Sequence, residues 1–329
     1  MRIIPRRALV AASAVAWAAA ARPLDAQQAD VTRLLVAFPP GAAIDGIARL
    51  LAAAAPRAGI GVTVVENRPG VGGNIAAAAA ARARADGRTL LLTIDTTFTV
   101  NPHIYPDPGF DAARDLEPVA TCATFPVVLV THPGSGIAGL DGLAEEARRR
   151  PPLLYGSGGS GTPGHLAMEH LRAALGLPPG AMEHVAFRGN PQVLAELVAG
   201  RVRTGFVAIG GGGAEFVRDG RLRAIAVSGP RRIAVLPEVP TVVELGQRGF
   251  DVRFAFVLMA PRGTPAEAKR AWAGLVAETL STPEARTRLD AWGGLEPPEA
   301  GGPEGTAAWI EQAHARWGQV ARKAGMRPD

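Results

Sequence analysis

Short apolar runs rich in β-branched residues alternate along the chain with stretches whose apolar positions recur every three or four residues. The first pattern predicts strands over Leu34–Phe38, Val62–Glu66, Thr89–Thr93, Pro126–Thr131, Leu153–Tyr155, His184–Phe187, Thr204–Ile209 and Leu222–Val227. The second predicts helices over Ile44–Ala55, Gly73–Ala85, Leu140–Arg149, Pro163–Leu175, Gln192–Ala199 and Ala214–Arg218. A helical C-terminal segment follows, made of Ala266–Leu280, Pro283–Ala291 and Thr306–Ala324. Alternation of this kind builds an α/β protein with mostly parallel sheets covered by helices on both faces. Thr124–Pro133 and Phe250–Pro261 are candidate passages between two lobes. The unbroken apolar run Phe254–Ala260 suits a strand buried on both faces, whether shared between lobes or simply central.

A length of 329 residues with 47% hydrophobic content supports about two domains, each with its own core. The first residues are a special case: Arg2, Arg6 and Arg7 precede an apolar run from Ala8 to Ala21, followed by small and polar residues near Ala26. This plan predicts a signal peptide over residues 1–26 and export to the periplasm. The run is shorter than the roughly 20 apolar residues of a membrane span, and Arg6-Arg7 leaves both the Sec and the twin-arginine routes open. Without residues 1–26 the chain has 31 basic and 29 acidic groups, so the formal +5 becomes +2. Short basic groups such as Arg148-Arg149-Arg150 end a helical pattern, where cations suit the helix dipole, and nucleic acid is not an expected partner. Cys122 is the single cysteine and cannot form an internal disulfide.

Two strand-to-helix turns carry the candidate chemistry. Phe38-Pro39-Pro40-Gly41-Ala42-Ala43-Ile44-Asp45 follows the first predicted strand, and unpaired amides at the helix start that follows would favour an anion. Equally, Gly41 would shape a tight turn and Asp45 would cap the helix. Tyr155-Gly156-Ser157-Gly158-Gly159-Ser160-Gly161-Thr162-Pro163-Gly164-His165 offers hydroxyls, amides and a first-turn proline in the same position of a second unit. Gly156, Gly158 and Gly161 also satisfy G-x-G-x-x-G, which makes a nucleotide-dependent enzyme an alternative, although the pattern alone is common in glycine-rich turns. A serine hydrolase is excluded at Thr162, where the nucleophile elbow needs glycine. The six histidines lack zinc spacing, so neither metal, cofactor nor catalytic residue is expected. Gly210–Gly213 forms a third glycine turn.

Taken in order, these segments resemble the substrate-binding proteins of tripartite tricarboxylate transporters, the Bug family of periplasmic receptors. The resemblance runs through Phe38–Asp45, Val65-Glu66-Asn67-Arg68-Pro69-Gly70-Val71-Gly72-Gly73-Asn74-Ile75, Asp86–Leu91, Asn101-Pro102, Tyr155–His165, Phe187-Arg188-Gly189, Gly220–Val227 and Leu236–Thr241. It implies a two-lobed periplasmic-binding-protein-like fold of type II, with a hinge of two crossover strands. The lobes would be 27–125 with 258–329, and 126–257. It further implies a monomeric receptor that captures a small carboxylate between the lobes for a membrane permease. By position, Phe38, Gly41, Ala42, Ala43 and Asp45 would line one side, and Ser157, Gly158, Ser160, Gly161, Thr162 and His165 the other. Asn67, Arg68 and Asn101 are readable as structural. The chain departs from the family at Ala42, usually glycine, at Ile44, usually Thr or Ser, and at Val207, usually polar. Ile44 and Val207 lead to the expectation of an apolar or aromatic ligand body. A repurposed, ligand-sensing member with a signalling partner is the other reading of such departures.

Overall fold

The computed structural model describes residues 31–149, 152–298 and 301–328, so the expected leader at 1–26 lies outside the described residues. β1 (Thr32–Val36) sits between β2 (Thr63–Asn67) and β3 (Thr89–Ile94), parallel to both. Outside β3 come β10 (Arg253–Pro261), antiparallel to its neighbours, and then β4 (Leu116–Pro126) at the edge. A second five-stranded sheet runs β7 (Met182–Ala186), β6 (Leu153–Ser157), β8 (Thr204–Val207), β5 (Val128–Thr131), β9 (Arg223–Val227). There β6 is parallel to β7 and β8, whereas β5 is antiparallel to β8 and β9.

Each sheet is therefore mixed, with one reversed strand, where the alternating pattern predicts a mostly parallel arrangement. The reversed strands, β5 and β10, are the two that enter directly from the other sheet. A chain leaving one sheet at its carboxyl edge enters the other from the shared crevice and so runs against its neighbours.

The first passage is Val127 alone and the second runs over residues 228–252, and the two are buttoned together. The Ser228 amide donates to the Val127 carbonyl at 2.9 Å, and the Val252 amide donates to the Ser228 carbonyl at 2.9 Å. Ser228 Oγ accepts from the Val127 amide at 2.9 Å and donates to the Val252 carbonyl at 2.7 Å. One buried residue thus ties both crossing strands. Arg253–Val257, assigned by the sequence division to the second lobe, pair with β3 and β4 in the first sheet.

Helices cover both sheets: α1 (Ala43–Ala54), α2 (Asn74–Ala81), α3 (Thr96–Thr99) and α4 (Asn101–Ile104) belong to the first unit. α5 (Leu140–Arg149), α6 (Pro163–Ala174), α7 (Asn190–Val198) and α8 (Gly213–Arg218) belong to the second. α1 shows why the periodicity is readable, because Ile44, Ile47, Ala48 and Leu51 all face the core at i, i+3, i+4 and i+7. The chain closes with α9 (Ala266–Ser281), α10 (Pro283–Ala291) and α11 (Pro303–Ala324). α11 spans both units: Trp309 Nε1 donates to Asp95 Oδ2 at 2.6 Å, and Trp317 stacks on Phe254 and meets His170 of α6 edge-on.

β4 is the strand the sequence hides. Pro118 and the buried Thr121 and Thr124 break its apolar pattern. Pro118 is tolerated because β4 is an edge strand with a register shift beside that residue, and Thr121 Oγ1 meets Thr306 Oγ1 of α11 at 2.9 Å.

Candidate functional site

The first turn is held from within. Gly41, at φ +85° with open space where a side chain would go, donates its amide to Asp45 Oδ2 at 3.1 Å. Asp45 is 4% exposed and also receives Arg49 Nε at 2.9 Å and Asn67 Nδ2 at 3.0 Å. Asn67 Nδ2 donates as well to the Phe38 carbonyl at 3.0 Å, fixing the end of β1. Burial pushes the Asp45 carboxyl upward, but the bonds from Arg49, Gly41 and Asn67 outweigh it and hold the group below its ordinary range. Ala42, in the N-cap position of α1, has no side-chain oxygen. Among the described residues the Ala42, Ala43 and Ile44 amides meet no protein acceptor. Ala42 and Ala43 are half-buried and Phe38 packs beside them, so these are reachable donors at a positive helix end.

The second turn uses the same plan with different residues. Ser157 Oγ and Thr162 Oγ1 both donate to the Gly159 carbonyl, at 3.0 and 2.7 Å, and Ser157 Oγ lies 2.6 Å from His184 Nε2. His165 Nδ1 accepts from the Gly161 amide at 3.3 Å, and its ring stacks on His184 at 3.8 Å between centroids. Burial, and then the neighbouring His184, hold His165 well below its ordinary pKa. The neutral ring keeps Nδ1 as an acceptor. α6 also lacks a side-chain cap at Thr162: Pro163 has no N–H, and the Gly164 and His165 amides meet no acceptor among the described residues. Gly164 lies directly on the Phe206 carbonyl, and a methyl at Gly158 would be 3.2 Å from Gly189 Cα. These glycines, like Gly156 against Phe187 and Val202, serve close packing. Ser160 is 5% exposed.

A chain of contacts between the sheets links the two turns. Gly161 presses on Ile104 and Val100, where a methyl group would lie 2.6 and 3.0 Å from their side chains, with Asn101 Oδ1 at 3.7 Å. Asn101 Nδ2 donates to the Gly72 carbonyl and to Asn74 Oδ1, and Gly73 abuts Ala37 at the end of β1. On the opposite flank Trp292 lies on Gly46 of α1 and touches Gly210 after β8. All eleven residues singled out in the sequence lie at these two turns. Asp45, Ser157, Thr162 and His165 all hold their turns by hydrogen bonds, and Asp45 and Ser157 also bond Asn67 and His184 beyond them. Ile44 and Val207 are 2% and 1% exposed in the cores, so neither gives the crevice an apolar lining.

Sequence reasoning did not find Asn190, His184 or Trp292. Asn190 exchanges two bonds with the Ala208 backbone, at 2.8 and 3.1 Å, locking α7 to the end of β8. Its place between Gly189 and Pro191 at a helix start is a local signal; His184 and Trp292 have none, because their partners are distant in sequence. A groove of about 660 Å³ elsewhere on the first unit, lined by Phe98, Tyr105, Phe110, Met259, Ile310 and His314 among others, includes none of the eleven residues. Among the described residues no group of three His, Cys, Asp or Glu side chains is arranged to hold a metal.

Comparison with known proteins identifies the family and the fold. The profile of the tripartite tricarboxylate transporter family receptor matches residues 47–326. BugT of Bordetella pertussis (strain Tohama I) is 30% identical over 317 residues, covering 95% of this chain and 95% of its own. R. palustris Rpa4515, solved with adipate, superposes with a TM-score of 0.82 at 31% identity over 91% of this chain and 98% of that one. MatC from Rhodopseudomonas palustris, with bound malate, gives 0.78 at 28% identity over 88% and 98%. These likenesses identify the two mixed sheets as the type II periplasmic-binding-protein fold.

Proposed function

Because the chain belongs to the tripartite tricarboxylate transporter receptor family, whose members are non-catalytic periplasmic binding proteins, it is a solute-binding receptor, and we propose that its ligand is a small carboxylate held between the two sheets by backbone amides. The carrying observation is the uncapped start of α1. Its Ala42, Ala43 and Ile44 amides are unspent while Asp45 consumes only the Gly41 amide. A carboxylate there acts as the missing cap, on the helix end that carries about half a positive elementary charge. The uncapped α6 and the Gly158–Thr162 turn take a second polar group from the other side. Adipate and malate in the two solved relatives, both dicarboxylates, support a small carboxylate.

In this reading the protein is exported to the periplasm and hands its ligand to the membrane permease of a tripartite tricarboxylate transporter. The lobes are residues 27–125 with 253–329 and 126–252, since β10 pairs into the first sheet from Arg253, and the Val127–Ser228–Val252 button is the hinge. Thermal-shift titration with mono- and dicarboxylates, neutral sugars and amines tests the ligand class. A true ligand at 100 times its dissociation constant stabilises by roughly 2.7 kcal/mol. Stabilisation by sugars or amines and by no carboxylate refutes the reading.

A further inference from the structure

Trp292 ends α10, its amide bonded to the Arg288 carbonyl at 2.9 Å, and from there it reaches both halves of the molecule. Its indole lies on Gly46 so closely that a methyl group there would sit 2.5 Å from Cζ2 and 2.6 Å from Cη2. Its carbonyl lies on Gly210, where any side chain would overlap it. Gly293, next in the chain, takes φ +114° and would place a methyl 3.2 Å from Ile209 Cγ2. The strap then pairs Glu296 with Thr124 at the edge of the first sheet. Gly46 thus leaves room for the indole on α1, while Gly210 and Gly293 let the Trp292 backbone pass against the turn after β8.

The other described tryptophans are accounted for by the fold. Trp272 and Trp317 are 2% and 1% exposed, and the Trp309 N–H is bonded to Asp95. Trp292 differs from the two buried rings in being only partly buried, and from Trp309 in that its Nε1–H meets no protein acceptor among the described residues. Gly46 follows Ala42 and Ala43 by four and three residues, roughly 4.5–6 Å along the helix axis, on the flank where both alanines are half-buried. A group bound to the unspent amides has the indole beside it.

We propose that Trp292 is a specificity-determining residue that touches the ligand, its indole forming the wall against the ligand's carbon body. With Ile44 and Val207 in the cores, the partly buried Trp292 and Phe38 rings are the large apolar side chains left near the α1 amides, and Trp292 is the one packed on α1 itself. A flat, polarisable face favours a chain of several methylenes or an aromatic ring over a short hydroxylated body. The assignment rests on the carboxylate-receptor reading above and adds to it which carboxylates are preferred and why.

Calorimetric titration with a dicarboxylate series from malonate to suberate, together with phenylacetate, tests it on wild type, Trp292→Leu and Gly46→Ala. The Gly46→Ala change keeps the helix and the tryptophan but displaces the ring, so it separates loss of the wall from loss of the fold. Wild-type affinity should rise with the size of the apolar body. Both variants should lose tenfold or more for suberate and phenylacetate and less than threefold for malonate. Ligand-induced change in wild-type tryptophan emission should disappear in Trp292→Leu. Equal losses across the series, or none, overturn the assignment while leaving the receptor reading intact. Failure of every carboxylate to bind wild type overturns the receptor reading itself, and the role of Trp292 with it.

Discussion

Replacing Ser228 by alanine removes two hydrogen bonds at the point where the chain passes twice between the sheets, beside Val127 and Val252. Ser228 and Val252 are 0% exposed and Val127 is 1% exposed, so no water replaces the lost hydroxyl. The Val127 N–H and the Val252 C=O are both left unsatisfied, at about 1–3 kcal/mol each. The expected loss is about 2–6 kcal/mol, a large part of the 5–15 kcal/mol that separates folded from unfolded states. The backbone bonds from Ser228 to Val127 and Val252 survive, so the fold persists with a looser hinge. Urea unfolding followed by circular dichroism should show a lower midpoint with an unchanged slope. A loss below about 1 kcal/mol would refute the argument that the hydroxyl is the button.

Asp95 is fully buried with its carboxyl pushed up to about 7 from 3.8, chiefly by burial, against the bonds it accepts from Trp309 and nearby backbone amides. A raised carboxyl stabilises the folded state below its unfolded pKa and loses that contribution as pH rises through the folded value. Wild type should therefore lose stability relative to Asp95→Asn between pH 4 and 8, by up to about 4 kcal/mol; a constant difference across that range would exclude this role. Glu169 is buried under the Tyr155 hydroxyl at 2.8 Å and Arg172 Nε at 2.8 Å. Glu169→Ala strands a buried guanidinium, and a loss of about 3–5 kcal/mol is expected in chemical denaturation; a loss within experimental scatter would mean that Arg172 finds another partner.

How much of this was legible depends on where each residue's partner lies. α1 and α6 announce themselves because their core positions repeat locally, as Ile44, Ile47 and Leu51 do. β4 does not, because Thr121 looks unsuited to burial until Thr306, 185 residues away, supplies its hydrogen bond. The same rule divides the site. The Gly41–Asp45–Arg49 brace spans one helical turn on each side and lies within reach of sequence reasoning, as does Gly161 with His165. The stack of His165 on His184, and Trp292 over Gly46, depend on strand order and on the return of the C-terminal segment.

The binding surface itself is the least visible part, for a chemical reason. A side chain that recognises a ligand appears in the sequence as a residue type, whereas an amide that does so appears only as the lack of a competing cap. Ala42 at the N-cap of α1 is such a lack: the side-chain oxygen of a serine or aspartate there would accept from the amides that the ligand is to occupy. The polar residues that do attract the eye, Asp45, Ser157, Thr162 and His165, secure the turns so that those amides stay in position. Their identities therefore encode an anion without encoding the molecule that carries it. Discrimination among carboxylates must come from the few side chains that face the crevice without bonding to it, and the free indole edge of Trp292 is the clearest of these.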